Sequence, residues 1–504
     1  MYAAYFISFS TGFLSLGLEV LWVRLFAFTN HSMPQAFAFV LATYLVGIAI
    51  GAQLGKLFCH SSRNLWLVSG VTLMISSCAD WLSPWVYAAF AHTDWQIGCG
   101  GLLIVLTAAL KATIFPIVHH LGTPRLGSSI GRAVSRVYVA NILGATLGPF
   151  FIGVLLLSVF TTQQCFLVCA GCTFLLAEYC LLSISRLAIL GVSLVAAWVA
   201  LSVSSVLDSS LLMSIVADPL GTVKQIVENQ YGIVMVYHGD GSDVVTGGNV
   251  YDGRTNLDPV VNSNGINRIL IMSALHSHPQ RVLIVGLSIG SWLKIMTTFP
   301  DVRHIDVIEI NPGYLKAIQA YPRQASALSD PRVHLHIDDG RRWLKTHTNN
   351  SYDMVIMNTT YYWRAYTANL LSYEFLSLIK QHMRTNAVMA FNSTWSIDAL
   401  KTATVVFNHA YLYDNFVIAA DFDWRHKLHD KAAVQRLASL RMDGELLFPP
   451  HSEVVIAGYL QRPITTLNSI EATSSKLGRQ FEVVTDRNLI TEYKYGWRLW
   501  GPHS

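Results

Sequence analysis

The stretch RVLIVGLSIGSW, residues 281–292, decides the fold of the C-terminal half of this chain. An apolar run that ends in a glycine turn and continues with helical spacing predicts a buried strand, a tight turn and a helix. Gly286 and Gly290 stand in the turn, where a glycine lets the backbone approach a ligand closely. A strand, glycine turn and helix in this order are typical of nucleotide-type ligand binding.

The same alternation continues along the chain. Apolar runs follow at 304–310, 332–337, 352–358 and 387–393, and helical patterns such as NPGYLKAIQAY, residues 311–321, separate them. Strands that alternate with helices predict a doubly wound, Rossmann-like parallel sheet. Ligands of such sheets bind beyond the carboxyl ends of the strands.

Polar residues stand where the predicted strands end. Glu309 lies about 20 residues after the glycine turn, where a carboxylate can bind ribose hydroxyls. Leu293 replaces the third glycine of the dinucleotide fingerprint, which favours an adenosyl ligand without a pyrophosphate. The alternative is that the glycines serve only the turn and the acids are solvated. The candidate ligand-binding residues are Gly286, Ser288, Gly290, Glu309, Asp338, Asp339, Gly340 and Asn358.

The N-terminal part has a different composition. The chain is 52% hydrophobic and 13% charged, whereas a soluble domain has about a quarter of its residues charged. The deficit lies before residue 208. Runs of about 20 apolar residues can span a bilayer, so residues 1–207 are predicted to form a transmembrane helical domain of about seven spans. The seven runs are 3–27, 34–56, 65–90, 98–119, 137–160, 162–184 and 186–207.

Composition also bears on other partners. The net charge is +4 without a basic stripe, so we expect no nucleic acid partner. All seven cysteines lie in the apolar part, and we interpret them as small helix residues rather than metal ligands. The predicted partner of residues 1–207 is the lipid bilayer, because their apolar runs are long enough to span it.

Two features inside the apolar runs predict contacts. Gly47, Gly51 and Gly55 are spaced four apart on one helical face, where small residues allow close helix packing. This face serves either packing within the bundle or a homo-oligomer interface. Glu19 and Lys111 form one candidate ion pair, because charges in lipid usually pair or face a polar cavity.

The basic residues predict an orientation. They cluster in alternate loops, which the positive-inside rule places in the cytoplasm. Seven crossings would then put the residues after 207 outside, although a nucleotide-type ligand is supplied inside. We therefore expect the C-terminal domain to be cytoplasmic. Either the span count is off by one, or one run is re-entrant, or the charge rule fails for this chain.

After residue 207 the patterning changes again. Short alternating pieces with Gly, Asp and Asn turns predict a linker and a small antiparallel β subdomain over residues 208–262. Residues 263–504 then form the predicted Rossmann-like domain.

Residues 218–500 resemble the spermidine synthase (polyamine aminopropyltransferase) family, a branch of the class I S-adenosylmethionine-dependent transferase fold. The pieces that carry the resemblance include ENQYGIVMV (228–236), NVYDGRTN (249–256), DVIEINPGYL (306–315), HIDDGRRWL (336–344) and TDRNLITEY (485–493). The pieces GLEVLWVRLF (17–26) and VYVANILGATLGPFFIG (137–153) resemble membrane segments fused to such domains in bacteria. The resemblance implies a multi-pass protein of the bacterial inner membrane.

The resemblance also implies roles. Glu309 would bind the ribose, and Asp339 with Gly340 would meet the adenine of S-adenosylmethionine or its decarboxylated form. Asn358 takes the place of the family's catalytic aspartate. Ile289 takes the place of the acid that holds the aminopropyl ammonium, and Tyr361 replaces a further acid of the amine pocket.

These replacements leave the reaction open. We expect cleavage of the S–Cγ bond, with release of 5′-methylthioadenosine, by aminopropyl or alkyl transfer to an acceptor. Without the acids, the carboxylate of S-adenosylmethionine could instead attack its own γ-carbon and form a lactone, since it needs no base. Methyl transfer and a transporter or sensor without turnover are further alternatives. The catalytic candidates are Asn358, Tyr361 and Tyr362, the tyrosines facing the sulfonium through cation–π contact, with Asp252, Asp258 and Glu374 as candidate substitutes for the missing acids.

Overall fold

A computed structural model of the 504-residue chain describes residues 2–60, 64–123, 130–182, 210–216, 221–359, 361–474, 479–496 and 499. The chain divides into two compact units. The first comprises residues 1–31, 35–219 and 228–230, and the second comprises residues 32–34, 220–227 and 231–504.

The first unit is helical. Six helices of the described residues are long and apolar enough to cross a membrane by length and composition, and they correspond to the first six predicted runs. The seventh run, 186–207, lies outside the described residues. The helices are α1 Tyr2–Thr29, α2 Pro34–Cys59, α3 Leu65–Ala89, α4 Gln96–Ala112, α5 Ile114–Gly122, α6 Ile130–Phe150, α7 Thr162–Leu182 and α8 Ser210–Ile215, and a π-helical segment Phe151–Leu156 and a turn Leu157–Val159 extend α6.

The glycine face of α2 packs against α4 of the same chain. A Cβ atom added at Gly47 would lie 2.6 Å from the carbonyl oxygen of Val105, and one at Gly51 would lie 2.2 Å from that of Ala109. Backbone atoms cannot swing aside as a side chain can, so glycine is what permits this approach. The predicted oligomer interface on Gly47, Gly51 and Gly55 is therefore corrected, because α4 occupies that face.

The buried ion pair of the helical unit also differs from the prediction. Lys111 on α4 donates to both carboxylate oxygens of Asp80 on α3, at 2.6 and 2.5 Å. The hydroxyl of Thr173 on α7 donates to the same carboxylate at 3.2 Å. The predicted partner, Glu19, is wrong, since Asp80 neutralises Lys111 inside the bundle.

The second unit begins with a four-stranded sheet in the order β1-β2-β3-β4. Its strands β2, β3 and β4 pair antiparallel, as the alternating pattern predicts. The bounds are β1 Val223–Asn229, β2 Gly232–Tyr237, β3 Val244–Gly247 and β4 Val250–Arg254.

An eight-stranded sheet follows, in the order β14-β10-β11-β9-β8-β5-β6-β7. The five strands β5 to β9 are parallel to one another. The strand β11 runs antiparallel to both of its neighbours, β9 and β10. The predicted Rossmann-like sheet is thus confirmed for the C-terminal part. The strands are β5 Arg281–Val285, β6 His304–Glu309, β7 Val333–Ile337, β8 Tyr352–Met357, β9 Met383–Asn392, β10 His409–Tyr413, β11 Phe416–Ala420 and β14 Ile464–Thr465, and β12 Arg441–Met442 pairs with β13 Glu445–Leu446.

Helices cover both faces of this sheet. On β5, Val282 and Ile284 belong to one apolar core and Leu283 and Val285 to another, which explains why the strand reads as a continuous apolar run. The helices are α9 Asn267–Leu270, α10 Met272–Leu275, α11 Ser291–Met296, α12 Gly313–Ile318, α13 Pro322–Leu328, α14 Gly340–Thr346, α15 Ala368–Leu371, α16 Tyr373–Gln381, α17 Ile397–Val406, α18 Lys431–Ser439, α19 Glu453–Leu460, α20 Leu467–Ser474 and α21 Ile490–Tyr493, with a 3-10 turn Arg425–His429.

Candidate active site

The site lies where the direction of strand succession reverses, between β5 and β8. Crevices at such reversals are the usual ligand sites of doubly wound sheets. Gly286 follows β5 with φ 90°, and a Cβ there would lie 2.6 Å from the carbonyl oxygen of Asn358, which follows β8. Gly286 therefore allows the two strand ends to approach one another. The predicted close approach of its backbone to a ligand stays a prediction.

A cavity of about 490 Å³ opens at these strand ends, and we call it the first cavity. Seven of the eight candidate ligand-binding residues line it, coming from the ends of four parallel strands. They are Gly286, Ser288, Glu309, Asp338, Asp339, Gly340 and Asn358. Their predicted roles toward a ligand stay predictions.

Gly290 is the exception among the candidates. It lines neither this cavity nor its neighbour. It precedes the first residue of α11 with φ 77°, a left-handed conformation that glycine adopts without strain. Gly290 therefore turns the chain into the helix, and its predicted ligand contact stays a prediction.

Glu309 is the most enclosed acid of the first cavity, with 4% of its surface exposed. One carboxylate oxygen accepts from the backbone N–H of Leu287 and the other from that of Asn311, both at 2.8 Å. Burial raises the pKa of Glu309 to about 7, and the backbone hydrogen bonds oppose the rise. Each carboxylate oxygen retains a second lone pair, so the group can accept two further donors, as a vicinal diol would supply.

Asp338 and Asp339 form the edge of the first cavity. The Asp339 carboxylate accepts from the backbone N–H of Arg342 at 2.8 Å and caps α14. The Asp338 carboxylate accepts from the Arg342 side chain at 2.6 Å. Both acids therefore position the start of α14 as well as facing the cavity.

A second cavity of about 220 Å³ adjoins the first. Asp252, Ser288, Asn358 and Thr359 line both, so the second cavity begins where the first ends. Its walls are mostly neutral: Asn264, Trp292, Asn392 and Asn415 line it with Ile289, which is 1% exposed.

The side chains of the two candidate tyrosines have different surroundings in the structure. Tyr361 lines the second cavity, with its ring stacked on Trp363 at 5.5 Å between centroids. The Tyr362 ring packs against an apolar core of the sheet, and its backbone N–H donates to Thr394. Tyr362 lines neither cavity, and its predicted place facing a sulfonium stays a prediction.

Asp252 is the acid at the junction of the two cavities. The Tyr314 hydroxyl donates to its carboxylate at 2.5 Å, and the Ser288 hydroxyl donates to its backbone carbonyl at 2.9 Å. Burial raises the pKa of the Asp252 carboxyl, and the hydrogen bond from Tyr314 opposes the rise. The second bond stabilises Ser288 in its left-handed conformation, φ 49°.

The other two candidate substitute acids lie elsewhere. The Asp258 side chain accepts from the backbone N–H groups of Val260 and Val261. The Glu374 side chain accepts from the backbone N–H of Asp486. Neither lines the two cavities, which leaves Asp252 as the only one of the three at the site.

Sequence reasoning missed Tyr314 and Arg268. Tyr314 lies on α12 and reaches Asp252 across the fold, and Arg268 on α9 lines the second cavity. Neither follows a strand end, so the pattern that found Glu309 could not find them.

Comparison with known proteins identifies the domain. Residues 268–411 match the family model described as the spermine/spermidine synthase domain. The polyamine aminopropyltransferase of Alkaliphilus oremlandii is 33% identical over 82 residues, which cover 16% of this chain and 28% of that protein. The enzyme of the same name from Streptococcus uberis is 29% identical over 119 residues, covering 23% and 41%. The chain thus spans less than half the length of these curated relatives.

Two solved structures are similar to the C-terminal part. A spermidine synthase in complex with the transition state analogue AdoDATO has 17% identity and a TM-score of 0.41, covering 51% of this chain and 89% of that chain. The spermidine synthase from Thermotoga maritima has 18% identity and a TM-score of 0.40, covering 51% and 88%. Residues 268–411 of this chain therefore resemble the spermine/spermidine synthase domain, and parts of the chain are similar to polyamine aminopropyltransferases.

Proposed function

We propose that this protein is a membrane-bound, spermidine-synthase-like transferase that cleaves the S–Cγ bond of an adenosyl sulfonium compound. The observation that carries the proposal is the pair of joined cavities at the strand reversal. Glu309 lies in the first cavity, where the ribose of S-adenosylmethionine or its decarboxylated form would bind. The carbon chain beyond sulfur then enters the second cavity past Asp252 and Asn358.

The proposed step is a displacement at carbon. The lone pair of an acceptor attacks Cγ and forms the new bond, while the S–Cγ electron pair passes to sulfur. Neutral 5′-methylthioadenosine leaves, and an amine acceptor gives up one proton. Asn358 can accept a hydrogen bond at this point but cannot take the proton.

Asp252 is the residue that we assign to that proton. Asp252 lines both cavities, and Tyr314 engages one of its carboxylate oxygens. The upward shift of its pKa by burial brings the carboxyl closer to neutral pH, which suits a general base. Tyr361 lines the second cavity from another segment and can face the sulfonium with its ring.

A second candidate function follows from the apolar side chain of Ile289 in the wall of the second cavity. A buried isoleucine offers no counter-charge to an aminopropyl ammonium, so the substrate could retain its carboxylate. That carboxylate could attack Cγ of the same molecule, forming a lactone and 5′-methylthioadenosine with no change in proton count. This reaction would need no base and no external acceptor.

Product analysis tests the proposal. The purified protein is incubated with S-adenosylmethionine or its decarboxylated form, with and without putrescine, and the products are identified by mass spectrometry. We expect 5′-methylthioadenosine. Its appearance with a lactone and without acceptor would favour the second candidate. S-adenosylhomocysteine would indicate methyl transfer, and ligand binding without any product would indicate a sensor or transporter; either result would overturn the proposal.

A further inference from the structure

The second cavity contains a half-buried cation. Arg268 on α9 lines it, and the guanidinium lies over the ring of Phe416 with its carbon 5.1 Å from the centroid. Its Nε atom is buried without a hydrogen-bond partner. Among the residues that the structure describes, no hydrogen bond or salt bridge reaches this side chain.

The acid with the largest electrostatic effect on Arg268, Asp414, already has other partners. Asp414 interacts with Arg268 through space, but its carboxylate is engaged in an ion pair with Arg462 and a hydrogen bond from Asn267 at 3.1 Å. An arginine remains protonated in proteins, and a partly buried guanidinium whose Nε atom has no hydrogen-bond partner is costly. The guanidinium is therefore preorganised for an anion that enters the cavity.

The charges of the walls indicate which anion. Within the described lining, Arg268 is the one cation and Asp252 the one acid. A decarboxylated tail carries a single ammonium, and a polyamine acceptor adds more positive charges beside Arg268. The tail of intact S-adenosylmethionine carries a carboxylate and an ammonium, so its charges balance.

We propose that Arg268 binds the carboxylate of intact S-adenosylmethionine, so that the group displaced from sulfur is 3-amino-3-carboxypropyl rather than aminopropyl. This inference rests on the proposed function, and the covalent step is the displacement at Cγ given above. A guanidinium fork matches a carboxylate with two parallel N–H···O bonds. Ile289 is consistent with this assignment, because it puts an apolar side chain in the cavity wall where an acid would repel the carboxylate.

Binding calorimetry with three probes tests the inference. S-adenosylmethionine has the carboxylate, its decarboxylated form lacks it, and 5′-methylthioadenosine lacks the whole tail. We expect the wild-type protein to bind S-adenosylmethionine at least about tenfold more tightly than the decarboxylated form. Arg268→Gln should weaken the binding of S-adenosylmethionine by about 10- to 100-fold, the usual range for a hydrogen bond to a charged group. It should leave the affinities for the other two probes unchanged.

The controls separate this inference from the proposed function. Arg303→Gln removes an exposed arginine outside both cavities and should change no affinity. If the Arg268→Gln variant no longer binds 5′-methylthioadenosine, the Arg268→Lys variant is used instead. Lysine keeps the positive charge but cannot form two parallel hydrogen bonds to a carboxylate, so this variant should weaken the binding of S-adenosylmethionine selectively. Equal wild-type affinity for the two sulfonium compounds, or a preference unchanged by substitution of Arg268, overturns the inference. Failure of the wild-type protein to bind any of the three probes overturns the proposed function itself.

Discussion

At the scale of single residues, we expect adenosyl binding to depend on Glu309. A hydrogen bond to a charged acceptor contributes about 1.5–3 kcal/mol, and a ribose offers two hydroxyls. We therefore expect Glu309→Ala to weaken 5′-methylthioadenosine binding by roughly 100-fold or more at pH 8, measured by calorimetry. Glu374→Ala is the matched control, since that exposed acid lines neither cavity. Equal affinities of Glu309→Ala and the wild-type protein would remove the basis of the ribose assignment.

Ligand affinity should also depend on pH through Glu309. Burial raises the pKa of its carboxyl to about 7 in the free protein, and the ionised form accepts hydroxyl donors better than the acid. The ionised fraction rises from roughly a tenth at pH 6 to nine tenths at pH 8, so affinity should increase about tenfold between them. Calorimetry in buffers of different ionisation enthalpy should detect proton release on binding at pH 6. The Glu309→Gln variant should show neither effect.

Asp252→Asn distinguishes the two candidate reactions. Loss of a general base typically lowers a rate by about 10²–10⁴-fold, so acceptor-dependent release of 5′-methylthioadenosine should fall by that order while affinity for the product is retained. Lactone formation needs no base and should persist. An unchanged acceptor-dependent rate in single-turnover assays would show that Asp252 is not the proton acceptor.

The residues of the site were predictable to different degrees. Glu309, Asp339 and Asn358 follow strand ends, and the topology of a parallel sheet brings strand ends together, so local pattern alone placed them at one cavity. Asp252 and Arg268 come from segments ahead of β5, and only the packing of those segments brings them to the second cavity. The sequence could suggest Asp252 as an acid but had no signal for Arg268.

At the scale of secondary structure elements, the contact between α2 and α4 should be intolerant of added volume. A Cβ at Gly51 would meet a backbone oxygen at 2.2 Å, whereas Gly98 has nothing within 4 Å of the same position. Gly51→Ala should therefore destabilise the protein by about 1–3 kcal/mol. Gly98→Ala should not destabilise it, since alanine favours the helix. Thermal unfolding in detergent compares the two, and equal midpoints would contradict the packing.

Elements were easier to predict than their pairings. The apolar runs located α1 to α7 because length and hydropathy suffice for a long apolar helix. The partner of Lys111 depends on how α3 and α4 are rotated toward one another, and periodicity does not encode that rotation. The antiparallel β11 was also unpredicted, since an apolar strand buried on both faces carries no mark of its direction.

At the scale of the whole molecule, the number of crossings decides on which side the C-terminal unit lies. The described residues hold six candidate spans, and an even number of crossings places the unit on the side opposite to that given by seven. With the basic loops in the cytoplasm, we predict that a fluorescent protein fused after Ser504 fluoresces and that an alkaline phosphatase fused there is inactive. The chain should remain in the membrane pellet after an alkaline carbonate wash. An active phosphatase fusion would place the unit outside and contradict the proposed supply of substrate from the cytoplasm.

The carboxylate of Glu309 is bonded at the same time to the segment after β5 and to the segment after β6. Ligand binding at Glu309 and the ordering of these two segments are therefore thermodynamically coupled. A compound that engages this carboxylate is held through both loops together, so we expect a substitution that displaces either loop to change ligand affinity.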